Sequence, residues 1–341
     1  MDLVKTEEAV GLILCHDITE IVVGGMKGPA FKKGHVVQQE DIPHLLRLGK
    51  DHLYVWSEDS TLVHENDAAE ILLSVAMGEG FTRSGISEGK IELKAAYDGM
   101  FTVDTELLKA INSIPEISIA SRFGGFTVHK GDKCAGMRVI PLAIKKETMD
   151  KVVETAAGKK IFNVLPYKPM SFGVITTGNE VYYGRIQDTF TPVLEKKLEE
   201  FGAVMKDHVI LGDDAEAITA EIKRMADEGL DLILCTGGMS VDPDDRTPLA
   251  IRSTGAEIIT YGSPVLPGAM FLVSYLPDGR PVLGLPGCVM HSKRTVFDVL
   301  LPKVMAGVRI SKDYIASLGN GGLCLGCKEC HFPNCMFGKG A

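Results

Sequence analysis

From about residue 170 onward, short apolar runs end in glycine turns and alternate with amphipathic helical stretches. That alternation restricts this part of the chain to an α/β layer fold. Phe172-Gly173-Val174-Ile175-Thr176-Thr177 reads as a buried strand that stops at Gly178. Phe190, Leu194, Leu198 and Phe201 recur at spacings of four, four and three, which puts them on one helical face ended by Gly202. Residues 204–211 predict a second strand, and Asp213 or Asp214 is placed to cap a helix whose inner face is Ile218, Ile222 and Met225. Residues 230–235 predict a third strand running into Thr236-Gly237-Gly238, and residues 257–261 and 281–285 predict two more. The chain then passes Pro286-Gly287 into a helix over 291–305. The expectation is an α/β domain over 169–310, with a mostly parallel sheet and flanking helices.

The preceding residues read differently. Residues 1–60 predict a small β-rich subdomain, with strands at 10–14, 21–23 and 52–56, turns at Gly24-Gly25 and Gly28, and a short helix over 41–49 capped by Asp41. Residues 61–168 predict an α+β region and a linker. It has a helix over 67–77, a period-two strand over 90–95, a strand over 138–144 whose Pro141 suggests an edge, and a charged, weakly helical connection over 145–160. Trp56 and the lone histidines, His16 and His291 among them, read as structural.

Composition narrows the function classes. A chain of 341 residues has room for two or three domains at roughly 100–200 residues each. Acidic residues exceed basic ones by 45 to 36, a net charge of −9, which argues against a general nucleic-acid binder. No apolar run approaches the roughly 18 residues of a membrane helix. The start Met1-Asp2-Leu3-Val4-Lys5 carries both charges and is no secretion signal, so the expectation is a cytoplasmic protein without membrane contact.

In sheets of this kind ligands sit outside the carboxyl ends of the strands. Three turns lie there: Gly178-Asn179-Glu180, Thr236-Gly237-Gly238-Met239-Ser240 and Pro286-Gly287. Glycines let backbone N–H groups approach a phosphate, and the Ser240 hydroxyl can add a hydrogen bond, so an acidic protein can hold an anion without a basic patch. The plainer reading is a tight strand-to-helix turn.

These turns stand in order with others: Thr176-Thr177-Gly178-Asn179-Glu180, Ile186-Gln187-Asp188-Thr189, Gly212-Asp213-Asp214, Thr236-Gly237-Gly238-Met239-Ser240-Val241, Asp244-Asp245 and Gly284-Leu285-Pro286-Gly287. As a set they resemble the molybdopterin-binding domain of molybdenum-cofactor biosynthesis proteins. With the β-rich region before them, they look more like the multidomain molybdenum-insertion branch, the molybdopterin molybdenumtransferases, than the single-domain adenylylating one. The resemblance implies an anionic pterin held by Thr177, Gly178, Gly237, Gly238, Ser240, Pro286 and Gly287. It implies carboxylates Glu180, Asp188, Asp214 and Asp245 around Mg²⁺, and a homodimer that inserts molybdate into adenylylated molybdopterin. Asp214 also suits a helix cap, and Asp188 a turn brace. The chain departs from the family pattern at Asn179, where an aspartate is usual, at Ala269 in place of a lysine, and at Cys288-Val289 in place of Asn-Pro. Two alternatives follow: a carrier of the finished cofactor serving a client molybdoenzyme, and a nucleotide pyrophosphatase on the same fold.

Cysteine placement adds one more element. Cys15, Cys134, Cys235 and Cys288 are scattered, whereas Cys324, Cys327, Cys330 and Cys335 crowd a Gly-rich tail over 311–341. Such a tail has few apolar residues to bury, and four thiolates on a metal would order it. The spacing C-x2-C-x2-C-x4-C leaves zinc and an iron–sulfur cluster both open. Cys288 reads as a small buried hydrophobe.

Overall fold

The run of Phe, Val and Ile at 172–175 forms strand β1, Ser171–Thr177, and six of its seven residues are buried. A strand covered on both faces needs no polar alternation. The computed structural model describes residues 1–21, 27–56, 60–240 and 245–340. The strand positions Val22 and Val23, the turn at Gly24-Gly25, and the motif positions Val241 and Asp244 lie outside the described residues. By its internal contacts the chain divides into two units, Met1–Ala96 with Val103–Arg122 and Gly131–Asn163, and Tyr97–Thr102 with Phe123–Lys130 and Val164–Ala341.

In the second unit β1 is followed by helix α1, Phe190–Glu199, strand β2, Val204–Leu211, and helix α2, Ala215–Asp227. Strand β3, Leu232–Thr236, helix α3, Thr247–Ser253, and strands β4, Glu257–Tyr261, β5, Leu272–Tyr275, and β6, Pro281–Leu285, come next. Helix α4, Val296–Met305, and the short helix α5, Lys312–Ser317, complete it. The sheet order is β2-β1-β3-β6-β5-β4. The first four strands pair in parallel, and β5 and β4 add an antiparallel edge. The mostly parallel α/β expectation holds. β1 leads to β2 on one side, and the chain then returns to β3 on the other, so the topological switch point lies between β1 and β3.

Adjacent residues of one strand feed opposite cores, as period-two geometry requires. Val174 packs with Leu194 and Leu198 of α1 and with Phe297 and Leu300 of α4. Ile175 packs with Ile218, Ile222 and Met225 of α2 and Ile251 of α3. Leu194, Leu198, Ile218 and Ile222 are fully buried, worth about 1.5–3 kcal/mol each in transfer free energy.

Two expectations here need correction. The helix over 291–305 is a turn at Cys288–His291 followed by α4, because Thr295 caps the latter, its Oγ1 accepting from the Phe297 amide at 3.2 Å. Strand β5 is one the sequence pattern does not predict. Ser274 interrupts its apolar run, and its hydroxyl donates to the Val282 carbonyl at 2.7 Å.

The first unit is built from small antiparallel sheets. Asp2–Lys5 pairs with His52–Val55, and a four-stranded sheet runs Phe81–Arg83, Ile91–Ala95, Lys133–Val139, Ile117–Ser121. The strand expected over 138–144 is instead two strands, Lys133–Val139 and Ala143–Lys145, interrupted around Pro141, which lacks the N–H a ladder needs. The connection over 145–160 is helix Lys146–Ala156, with Met149 and Val152 buried. Asp41 does not cap helix Ile42–Arg47; its carboxylate accepts from the Gln38 amide at 2.8 Å and lies 2.6 Å from His35 Nε2. Helix Glu65–Ala76 is capped by His64, whose Nδ1 accepts from the Asn66 amide at 3.1 Å.

Candidate functional site

β1, β3 and β6 are neighbours in the sheet and parallel, so their carboxyl ends deliver three turns to one rim. The joint between the first two is tight. Gly237 has φ +83°, and a Cβ there would lie 2.0 Å from the Thr177 carbonyl oxygen. Gly238 has φ +53°, and its Cβ would lie 2.8 Å from the Thr247 hydroxyl. Thr177 Oγ1 and Thr247 Oγ1 are 3.1 Å apart, both residues buried, which ties β1 to the start of α3. The Thr236 hydroxyl, last in β3, is buried and has no partner among the described residues.

The loop after β3 is held from two further directions. Met239 is buried beneath it, with its sulfur 2.7 Å from where a Cβ on Gly284 of β6 would stand. The Tyr261 hydroxyl of β4 donates toward the carbonyls of Met239 and Ser240, each at 3.1 Å. Burial, with Asp245 nearby, pushes the Tyr261 phenol up, so it stays a neutral donor. Tyr261 carries no local sequence signal, because its role depends on a contact with a loop some twenty residues upstream. Ser240 is left exposed.

Gly287 differs from the other rim glycines. Its φ of −51° suits any residue, and a Cβ there would meet nothing within 4 Å. The fold does not need a glycine at this exposed position. Pro286 beside it is buried.

The four carboxylates are in unlike settings. Asp188 is almost wholly committed to its own neighbourhood. Thr191 and Thr176 donate hydroxyls at 2.6 and 2.9 Å, the Phe190 and Thr191 amides donate at 2.8 and 3.3 Å, and His208 Nε2 lies 3.0 Å away. Burial opposes its charge, but these donors outweigh burial and hold Asp188 below the usual carboxylate range. Asp214 caps α2 by accepting from the amides of Glu216 and Ala217 at 2.9 and 3.2 Å. Glu180 is exposed, with its carboxylate so close over Gly178 that a Cβ there would lie 2.8 Å from Oε1. Asp245 is half-buried just ahead of α3.

Asn179, the first departure from the family pattern, donates its backbone N–H to Asp213 Oδ2 at 3.1 Å, a bond that does not depend on its side chain. Cys288 is half-buried, and burial raises its thiol, so it is not an activated thiolate. Pro267-Gly268 precedes Ala269, and a Cβ on Gly268 would lie 2.5 Å from Val296 Cγ1, so that turn packs on α4.

The tail is not excluded from the core, contrary to the expectation of a segment with little to bury. Phe337 is buried, and Cys324, Phe332 and Cys335 pack on the same cluster as α1 and α4. Cys327 and Cys330 are exposed. Among the described residues, no three His, Cys, Asp or Glu side chains are set to hold one metal ion, and no helix is long and apolar enough to cross a membrane.

Residues 173–306 match the family model described as "Probable molybdopterin binding domain", and residues 3–57 match a model described as a domain of unknown function. The chain is 36% identical to the CinA-like protein of Mycobacterium avium over 88 residues, which are 26% of this chain and 20% of that protein. It is 39% identical to the CinA-like protein of Mycobacterium marinum over 88 residues, 26% and 21% of the two chains. It thus spans about a fifth of the length of the curated relatives it matches. Among solved structures, the molybdopterin biosynthesis enzyme MoaB of Thermus thermophilus aligns at a TM-score of 0.34 and 22% identity, covering 40% of this chain and 97% of that one. The tungsten cofactor synthesizing protein MoaB of Pyrococcus furiosus aligns at 0.35 and 20%, covering 40% and 93%. Residues 173–306 of this chain are a domain of the molybdopterin-binding family.

Proposed function

We propose that the rim of the sheet binds molybdopterin or its adenylylated form, and that the protein inserts molybdate into that dithiolene with release of AMP. The observation that carries this reading is the convergence of three glycine turns on adjacent strand ends at the switch point, inside the segment that matches the family. Gly178, Gly237, Gly238 and Gly287, with Thr177, Ser240 and Pro286, form the cradle. Glu180 and Asp245 would hold Mg²⁺, which would let an anion sit beside carboxylates that otherwise repel it. In this reading the residues orient the anion and the cation and supply no nucleophile. The working form is a cytoplasmic homodimer.

A second reading is a carrier that binds the pterin without turnover. It is favoured by Asp188 and Asp214, whose oxygens accept from the chain's own amides and hydroxyls.

Titration calorimetry with molybdopterin and Mg²⁺ tests the site, and Gly287→Ala is the decisive variant. Its added methyl meets no protein atom, so stability should hold or rise by about 0.4–1 kcal/mol. Pterin affinity should fall about tenfold, or ~1.4 kcal/mol. No binding to the wild-type chain rejects the reading. Binding without cofactor production in a reconstituted molybdate assay selects the carrier. Hydrolysis of a dinucleotide in the absence of molybdate selects a pyrophosphatase.

A further inference from the structure

The cysteine tail encloses a space that the rim does not use. Cys324, Cys327, Cys330 and Cys335 all line one cavity of about 740 Å³, together with Lys293 and Arg294. Both ends of the tail segment are fixed. The Cys324 amide donates to the Leu266 carbonyl at 2.8 Å, and the Gly338 amide donates to the Gly321 carbonyl at 3.0 Å. A Cβ on Gly338 would lie 2.5 Å from Val299 of α4, so the chain there runs flush against the core. Cys324 and Cys335 are therefore rooted in the wall, and Cys327 and Cys330 lie on the exposed stretch between them.

We propose that these four cysteines are the thiolate ligands of a four-iron, four-sulfur cluster seated in this cavity. All four cysteines line the same volume. A cubane takes one thiolate at each of four separated corners and needs that arrangement. The first three cysteines keep the C-x2-C-x2-C spacing of bacterial clusters, and the fourth follows after four residues. Lys293 offsets part of the negative charge of a thiolate-ligated cluster, whereas Arg294 is paired with Asp298 at 2.9 Å. Lys293 also donates from Nζ to the Lys328 carbonyl at 2.9 Å, and Arg294 lies 5.2 Å from the Phe332 ring centroid. Leu325, Phe332 and Met336 supply the apolar remainder of the lining. All eight cysteines are free thiols, so no disulfide competes for the ligands. Assembly joins two ferrous and two ferric ions with four sulfides, which gives the core at its +2 charge with no external oxidant, and each ligand gives up its thiol proton.

The test uses the full chain, purified and reconstituted without oxygen with equal amounts of ferrous and ferric iron and with sulfide. Four irons and four acid-labile sulfides per chain are expected, with a broad visible absorption that dithionite bleaches. The double variant Cys327→Ser with Cys330→Ser should lose bound iron roughly tenfold or more, since affinity depends on the full ligand set. Both positions are exposed, and far-ultraviolet circular dichroism checks that the fold survives. Cys288→Ser should keep its iron. One zinc per chain without sulfide overturns the proposal, as do four tail thiols that stay metal-free and an unchanged iron content in the double variant. Calorimetry with the pterin reports on the rim separately, so failure of one site leaves the other standing.

Discussion

The rim turns and the cysteine tail are both irregular chain on one domain, but they are held by different means. At the rim, backbone meets backbone: Gly237 sits against the Thr177 carbonyl, and Tyr261 reaches two carbonyls of the same loop. In the tail the ends are fixed by backbone bonds and Phe332 packs on the core, yet the segment borders a large cavity edged by thiols. Strand ends preorganise a site by backbone contact, whereas the tail packs on the core and still leaves a space among its thiols.

The contrast breaks most visibly with a methyl group. Gly237→Ala should cost about 3–5 kcal/mol, because a left-handed φ is combined with a backbone clash at 2.0 Å. Gly326→Ala in the tail has φ +63° but nothing within 4 Å, and should cost only about 1–2 kcal/mol. Urea unfolding of both variants decides it; equal losses would mean that the two segments are held alike.

Acid sharpens the same contrast from the rim side. Asp188 has its folded pKa lowered, so its stabilising contribution is present above the ordinary aspartate range near ~3.9 and is lost as pH falls through the lower folded value. Asp188→Asn should cost about 1–3 kcal/mol near neutrality and flatten the acid limb of the stability curve. An unchanged acid limb would show that the hydroxyls of Thr176 and Thr191 and the ring of His208 do not depend on the charge.

The smallest effect separates a cap from a catalyst. Asp214→Ala should cost ~1 kcal/mol of stability, the ordinary value of an N-cap, and leave cofactor production unchanged once the protein is folded. A loss of production well beyond the loss of folded protein would return Asp214 to the chemistry.

Local patterns make much of the domain legible. β1 and the inner faces of α1 and α2 follow from Val174, Leu194, Leu198, Ile218 and Ile222, because periodicity and burial are the same information there. Asp214 is readable as a cap because its partners are two and three residues away. Asp188 is only half readable, since Thr176 and His208 come from separate strands and no local pattern brings them together. β5 is hidden by Ser274, whose hydroxyl finds its partner across the sheet. The tail misleads by composition, because Phe337 is buried and Gly338 is pressed on α4, burying backbone that a count of apolar side chains does not register.

The knot formed by Thr177, Gly237 and Thr247 also divides the rim for anyone who would redesign it. Those positions are masonry: they touch one another, and changing any of them moves two loops at once. Ser240 and Gly287 face outward from that masonry, so a library randomised at these two places would explore new ligand shapes on an unaltered frame.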